Sequence, residues 1–411
     1  MRLLHLADLH LGKMLCGVSL LENGDQGYWT ERLLELIEEK RPDAVLVAGD
    51  VYDRGLPPGG ATELLSTLAT GISRLGIPLL MAAGNHDSGQ RLACFRDILC
   101  RQQVHISGVL RRELVNVTLT DEYGPVTFWL LPYTFPAAVS QVLDDDSIRD
   151  YDDAVRRIIA EQDIDFTRRN VIIAHQNVTA GGVEGIRGGS ESLVGGVGQV
   201  DYTAFDGFDY VALGHIHAAY AVGRDTVRYA GSPLCYHFDE LRQAKKGPLL
   251  VTLGEKGAPV QIETLSIPPL HPLCEYRGEY EDVLLRANLS PRGQYVKTVI
   301  TDRPMTPEMA DHLSAVFTAK DSILMECSSE FRRFSGAGSG PELGELETRP
   351  VEELFADFYT ERAGGQPERE DLELMGRAAE LIRNSDGGAD GREVSPALAE
   401  KLVDYLIGEG T

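Results

Sequence analysis

Cysteine is scarce and unpatterned in this chain. The six residues at positions 16, 94, 100, 235, 274 and 327 of 411 show no paired spacing and no C-x-x-C. Neither a disulfide framework nor a thiolate zinc site is therefore expected, and the thiols read as free groups of a reducing compartment. Long apolar runs are missing too. No stretch of 18 apolar residues occurs, and the opening MRLLHLADLH turns polar too early for a signal peptide, so the chain reads as cytoplasmic with no membrane partner. Basic residues are outnumbered, 39 Lys and Arg against 63 Asp and Glu, for a net charge of -24. That balance excludes a surface acting as a whole as an electrostatic glove for DNA. Residues 341–411 hold 18 of the acids against 7 basic residues, so much of the excess lies in the tail. The pairs Arg111-Arg112, Arg168-Arg169, Lys245-Lys246 and Arg332-Arg333 are expected as solvated surface charges.

What is present is a large apolar fraction, 43%, enough for two or three domains with sizeable cores. Short apolar runs end abruptly in polar residues or glycine: Arg2 to Ala7, AVLVA from Ala44, LLMAA from Leu79, VIIA from Val171 and YVAL from Tyr210. Such runs suit strands covered on both faces, and ligands collect at the carboxyl ends of such strands. Five motifs stand at those ends: Asp8-Leu9-His10, Gly49-Asp50-Val51-Tyr52-Asp53-Arg54, Gly84-Asn85-His86-Asp87, Ala174-His175-Gln176 and Gly214-His215-Ile216-His217. They supply carboxylate, amide and imidazole donors enough for two ions sharing one bridging carboxylate. Strand alternation is expected to put Asp8 with His10, and His215 with His217, on one face. Taken singly, each residue is as well read as a cap, a turn or a structural histidine. The joint order carries the functional reading.

The five blocks resemble the calcineurin-like metallophosphoesterase family, whose pattern is D-x-H, G-D-x-x-D, G-N-H-D, a lone His and G-H-x-H. Further stretches resemble its SbcD-type nuclease branch: HQNVTAGG from His175, FDYVALGHIH ending at His217, Tyr229-Ala230-Gly231-Ser232-Pro233, and Phe238-Asp239-Glu240. The resemblance implies an α/β fold, a four-layer αββα sandwich with a small α/β capping domain and a C-terminal helical tail. It implies that Asp8, His10, Asp50 and His217 surround one ion and that Asp50, Asn85, His175 and His215 surround the other, with manganese the metal. It further implies that His86 sits over the scissile phosphate as acid or electrostatic stabiliser, held by Asp53. Asp87 is expected to be structural and Arg54 either a phosphate contact or a surface residue.

The implied activity is that of a DNA nuclease of repair, recombination and replication: exonuclease on duplex ends, endonuclease on single strands and hairpins. It would work as a homodimer within a heterotetramer with an SbcC-like ABC ATPase bearing coiled coils. A small-molecule or protein phosphoesterase of the same fold, or a non-catalytic scaffold, stands as the alternative. The expected domains are the nuclease core at 1–268, the cap at 269–333, a Gly-rich linker at 334–346 and a helical partner-binding tail at 347–411. The Pro-rich segment Ile267 to Pro272 marks the first boundary. The Gly-rich stretch Gly181 to Gly198, with Arg187 in it, reads as a loop that could follow a DNA backbone.

Overall fold

The computed structural model describes residues 1–182, 198–242 and 246–331, together with Ala356. The expected linker, all of the expected helical tail but Ala356, residues 183–197 with Arg187, Lys245 and Arg332-Arg333 lie outside the described residues.

Two six-stranded sheets form the body. The first runs Gln261–Thr264, Leu249–Thr252, Arg2–Leu6, Ala44–Ala48, Leu79–Ala82, Val104–Ser107, the last four being parallel neighbours. The second runs Ala221–Val222, Arg224–Tyr229, Tyr210–Gly214, Arg169–His175, Gly124–Leu131, Val115–Asp121, with the four inner strands parallel. Leu3, Leu46, Ala48, Leu80 and Ala82 of one sheet meet Phe128, Leu130, Val171, Ile173 and Ala212 of the other in a shared core. The alternate residues face outward. Leu4, Val45, Val47 and Met81 pack on Trp29, Leu33 and Ile37 of the helix Asp25–Lys40 and on Leu68 and Ile72 of Gly59–Arg74. Leu131, Ile172, Val211 and Leu213 pack on Val139 of Pro136–Leu143 and on Val155 and Ile158 of Tyr151–Ala160. Helix, sheet, sheet, helix is the four-layer order, and near-continuous apolar strands are what burial on both faces requires. Each of the larger side chains so buried contributes roughly 1.5–3 kcal/mol.

A third, three-stranded parallel sheet of Leu273–Gly278, Tyr295–Ile300 and Ile323–Ser329 carries the helices Tyr280–Leu289 and Pro307–Thr318. Thr306 caps the second helix through the amide of Met309, and Pro307 opens it without sacrificing an intrahelical donor. Tyr276, Val283, Val296, Leu313 and Phe317 give this cap its own core. The cap meets the body at the segment before the first helix. The Tyr295 hydroxyl donates to Asp25 Oδ2 at 2.5 Å and accepts from Asn23, His271 Nδ1 lies 2.9 Å from Asp25 Oδ1, and the Cys16 thiol donates to Glu326.

One expectation from the sequence fails against this architecture. Arg169 is not a solvated charge. It opens a strand covered on both faces and is 3% exposed, where its guanidinium pairs with Asp121 and donates to the carbonyls of Gly124 and Gly254. Arg112, by contrast, makes the exposed pair expected of it, with Glu161. Among the described residues no helix is long and apolar enough to cross a membrane.

Candidate metal centre

All five motifs lie at the carboxyl ends of strands, on one edge of the sandwich; Ala174 and His175 close the strand Arg169–His175, and the other four run on into loops. The loops are stitched together by backbone bonds: Asp8 N donates to Gly49 O at 3.1 Å, His10 N to Asp50 O at 2.9 Å and Leu11 N to Val51 O at 2.9 Å. Strand alternation does not set the side-chain directions, contrary to expectation. The strands stop at Leu6 and Gly214, before the ligands, and the backbone turns left-handed at Asp8 (φ 53°), His10 (φ 42°), Asp50 (φ 46°) and His215 (φ 106°). Positive φ in these non-glycine residues is strain held by the surrounding bonds, a common property of functional sites.

Each aspartate gives one oxygen to the scaffold and turns the other inward. Asp8 Oδ1 accepts from the amide of His215 at 2.9 Å, while its Oδ2 is fully buried with no hydrogen-bond partner among the described residues. Asp50 Oδ1 accepts from the amide of His86 at 2.9 Å, while its Oδ2 lies 3.4 Å from His175 Nε2, 3.6 Å from His10 Nε2 and 4.0 Å from His86 Nε2. His10 Nε2 and His217 Nε2 approach to 3.2 Å, and Asp8, His10 and His217 form one cluster of donor atoms. Asn85 Oδ1 lies 3.0 Å from His175 Nε2 and 3.2 Å from His215 Nδ1, which makes a second cluster. Asp50 stands between the two.

The motif glycines are there for want of room. A Cβ on Gly84 would fall 2.1 Å from Asp50 Oδ1 and 2.3 Å from its amide, and one on Gly214 would fall 1.7 Å from Ala48 O. Gly84→Ala is therefore expected to cost about 1–3 kcal/mol in chemical denaturation and to displace the Asp50 carboxylate, lowering metal content. Gly27→Ala, in a helix where no described residue lies near the added methyl, is the control and should be neutral or stabilising.

The model of the calcineurin-like phosphoesterase family matches residues 1–219, a span that includes all five motifs. The chain belongs to the calcineurin-like phosphoesterase family. It is 32% identical over 289 residues to the SbcD component of the SbcCD nuclease of Staphylococcus saprophyticus, a span of 69% of this chain and 73% of that protein. A solved structure 13% identical in sequence covers 64% of this chain and 99% of its own, with a TM-score of 0.36 that carries no argument.

Calcineurin-like phosphoesterases bind divalent metals, and the donor set fits such ions. Burial pushes Asp8 up to about 7, with the charge of Asp50 adding to it against the pull of His175 and His217. Burial alone would raise Asp50 as well, but the imidazoles of His175, His10 and His86 hold it well below the ordinary range. Burial lowers His175 in turn, yet Asp50 and Asp8 carry it up to about 9. Burial takes His10 down to about 4 and His215 down to about 3. Protons thus sit where the carboxylates lack countercharge, and a cation ligated by these groups would replace them. Mixed imidazole and oxygen donors suit Mn, Fe or Zn better than Mg.

Several surrounding groups escape sequence reasoning. His217 Nδ1 lies 3.0 Å from Glu240 Oε1, and Lys246, expected at the surface, instead places Nζ 2.7 Å from Glu240 Oε2. A buried carboxylate requires such a cation nearby, which is why Lys246 turns inward. Burial would raise Glu240, but His217 and Lys246 bring it down to about 2. His175 Nδ1 faces the carbonyl of Ala48 at 2.9 Å. Tyr236 donates to Leu9 O and sets its ring against those of His10 and His217, and Gln26 donates to His10 O at 2.8 Å while accepting from Gly12 N. The stretches from Tyr229 to Pro233 and from Phe238 to Glu240 are the hints of this shell in the sequence.

Asp53 meets His86 through its backbone and not through its carboxylate. His86 Nδ1 meets the backbone carbonyl of Asp53 at 2.9 Å. The carboxylate points the other way, to Lys13 Nζ at 2.8 Å and His10 Nδ1 at 3.4 Å, and these partners draw it down to about 2 against the effect of burial. Lys13, three residues after His10, offers a stronger partner than an exposed imidazole. Asp87 is structural as expected: its carboxylate accepts from the amides of Val51, Tyr52 and Gly84 and so ties two motif loops together. Arg54 is exposed.

Proposed function

We propose that this chain is a two-metal DNA phosphodiesterase, the nuclease component of an SbcCD-like complex, using Mn2+. The observation that carries this reading is the set of overlapping donor groups, Asp8 with His10 and His217, and Asp50 with Asp8 and His175 beside Asn85, with the half-exposed His86 ring against Asp50. Asp8, His10, Asp50 and His217 would hold one ion, and Asp50, Asn85, His175 and His215 the other. Ions bound there supply Lewis-acid polarisation of the phosphodiester and a water acidified for in-line attack. The chain's own contribution is placement. The backbone amides of His215 and His86 fix the aspartates, and the Asp53 carbonyl fixes the His86 ring so that its Nε2 faces the clusters. From that position His86 can give a proton to the leaving oxygen or stabilise its charge.

The substrates proposed are duplex ends, single strands and hairpins, and the partner is an SbcC-like ABC ATPase docked through the C-terminal tail. The complex would act in the cytoplasm in DNA repair, recombination and replication. A second copy of the chain would cover the apolar recess of about 710 Å³ between the helix Gly59–Arg74 and residues 91–106, where Phe95 and Ile98 stand exposed. The deciding assay offers linear duplex, single-stranded DNA, a phosphopeptide and a cyclic nucleotide to the protein with Mn2+. Turnover of both DNA substrates is expected. Turnover of only the phosphopeptide or the cyclic nucleotide would overturn the nuclease reading.

A further inference from the structure

We infer that Phe135, reached from the donor groups through the ring of Tyr133, is a stacking ledge for an unpaired nucleobase and sets a preference for single-stranded DNA. The inference rests on the nuclease reading above and names the part of the substrate that this edge of the site takes.

A row of rings leads outward from the candidate ligands. The ring of His215 lies against that of Tyr133 at a centroid distance of 6.4 Å and an interplanar angle of 29°, and Tyr133 meets His175 edge-on at 6.2 Å. Phe135 follows at 6.5 Å from Tyr133, tilted by 39°, and is 44% exposed. The backbone under the row is held from several sides. Tyr133 N donates to the carbonyl of Ala83 at 2.7 Å, just before the Gly84 motif, and the Thr134 carbonyl accepts from Gln176, just after His175. The Thr134 hydroxyl donates to Pro132 O at 2.7 Å. Phe135 has extended backbone directly before Pro136, and its carbonyl accepts the amides of Ala138 and Val139. A ring on so fixed a backbone has little ordering left to lose on contact.

The position argues against a structural role for that ring. Phe135 is the N-cap of the helix Pro136–Leu143, where Ser, Thr, Asp or Asn would satisfy a free amide, and no side-chain bond caps this helix. Val139, not Phe135, carries the helix into the core. Helix stability is thus forgone where an exposed aromatic borders the donor groups, a trade expected at functional sites. In a duplex each base is stacked on its neighbours, whereas an unpaired base offers a bare π-face, and its stacking on an aromatic ring tolerates any sequence. A strand whose phosphate meets the donor groups brings such a base past Tyr133 to Phe135.

The test offers Mn2+-loaded full-length protein a single-stranded oligonucleotide and a base-free strand of the same length, sugar and phosphate only. The strand with bases is expected to have a kcat/KM higher by about 5–100-fold, the scale of one stacked base. Phe135→Ser should remove most of that preference, chiefly through KM, while its thermal melting stays level or rises because serine caps the helix. Phe135→Trp should keep the preference. Should Phe135→Ser melt lower, Phe135→Leu, which retains apolar bulk without a π-face, carries the same test. No preference in the unaltered protein, a preference that survives loss of the ring, or an equal fall for both strands overturns the ledge and leaves the nuclease reading standing. Cleavage of neither strand by the unaltered protein overturns the nuclease reading and the ledge with it.

Discussion

His86→Gln is expected to bind two metal ions per chain and to cleave DNA at least about a hundredfold more slowly, the scale of one lost general acid or transition-state donor. The ring stands at the edge of the donor groups, beside Asp50. Nδ1 is committed to the Asp53 carbonyl at 2.9 Å, the ring meets His10 edge-on at a centroid distance of 4.9 Å, and 42% of the side chain is exposed to an approaching substrate. Geometry admits one rival role, because His86 Nε2 also falls within a donor cluster with His10 and Asp50. Metal analysis separates the two roles. Loss of an ion from the variant would move His86 into the ligand shell and sink its assignment as acid.

Asp50→Ala should empty both subsites and lower cleavage by about three orders of magnitude or more, since each ion supplies several kcal/mol of transition-state stabilisation. The inward oxygen of Asp50 reaches toward His10 in one cluster and His175 in the other. His217→Ala, which touches one cluster only, should lose a single ion. Equal losses of one ion in both variants would contradict the bridge. Because Asp50 Oδ1 also accepts the His86 amide, the alanine variant will loosen that loop as well. Asp50→Asn keeps the size of the side chain and serves as the conservative comparison.

The candidate ligands are legible in the sequence, and the contacts that support them are much less so. Asp8, His10, Asp50, Asn85, His175, His215 and His217 announce themselves because donor-rich triplets interrupt apolar runs, and the structure brings all seven to one edge. How they converge is a different matter. Period-two alternation fails where the strand has ended and the backbone turns left-handed, and single-sequence reasoning has no period for such turns. Glu240 and Lys246 are hidden for another reason. They reach His217 across a fold, and a carboxylate twenty-odd residues downstream carries no local spacing that would mark it. In the cap, Tyr295–Ile300, Pro307–Thr318 and Ile323–Ser329 follow from apolar alternation and the Thr-Pro start, while Leu273–Gly278 is interrupted by charged residues and passes unnoticed.

Asp25 and Gln26 are adjacent at the start of the helix Asp25–Lys40, and they face different masters. Asp25 holds the cap through Tyr295 and His271, while Gln26 holds the carbonyl of His10 and the amide of Gly12. The first turn of that helix therefore ties the cap to the loop of His10, one residue serving each side. Breaking the contacts of the cap to Asp25 would leave a buried carboxylate without its partners, at a cost of about 1–3 kcal/mol. The work of holding the cap is thus borne a single residue away from the group that orients the His10 carbonyl.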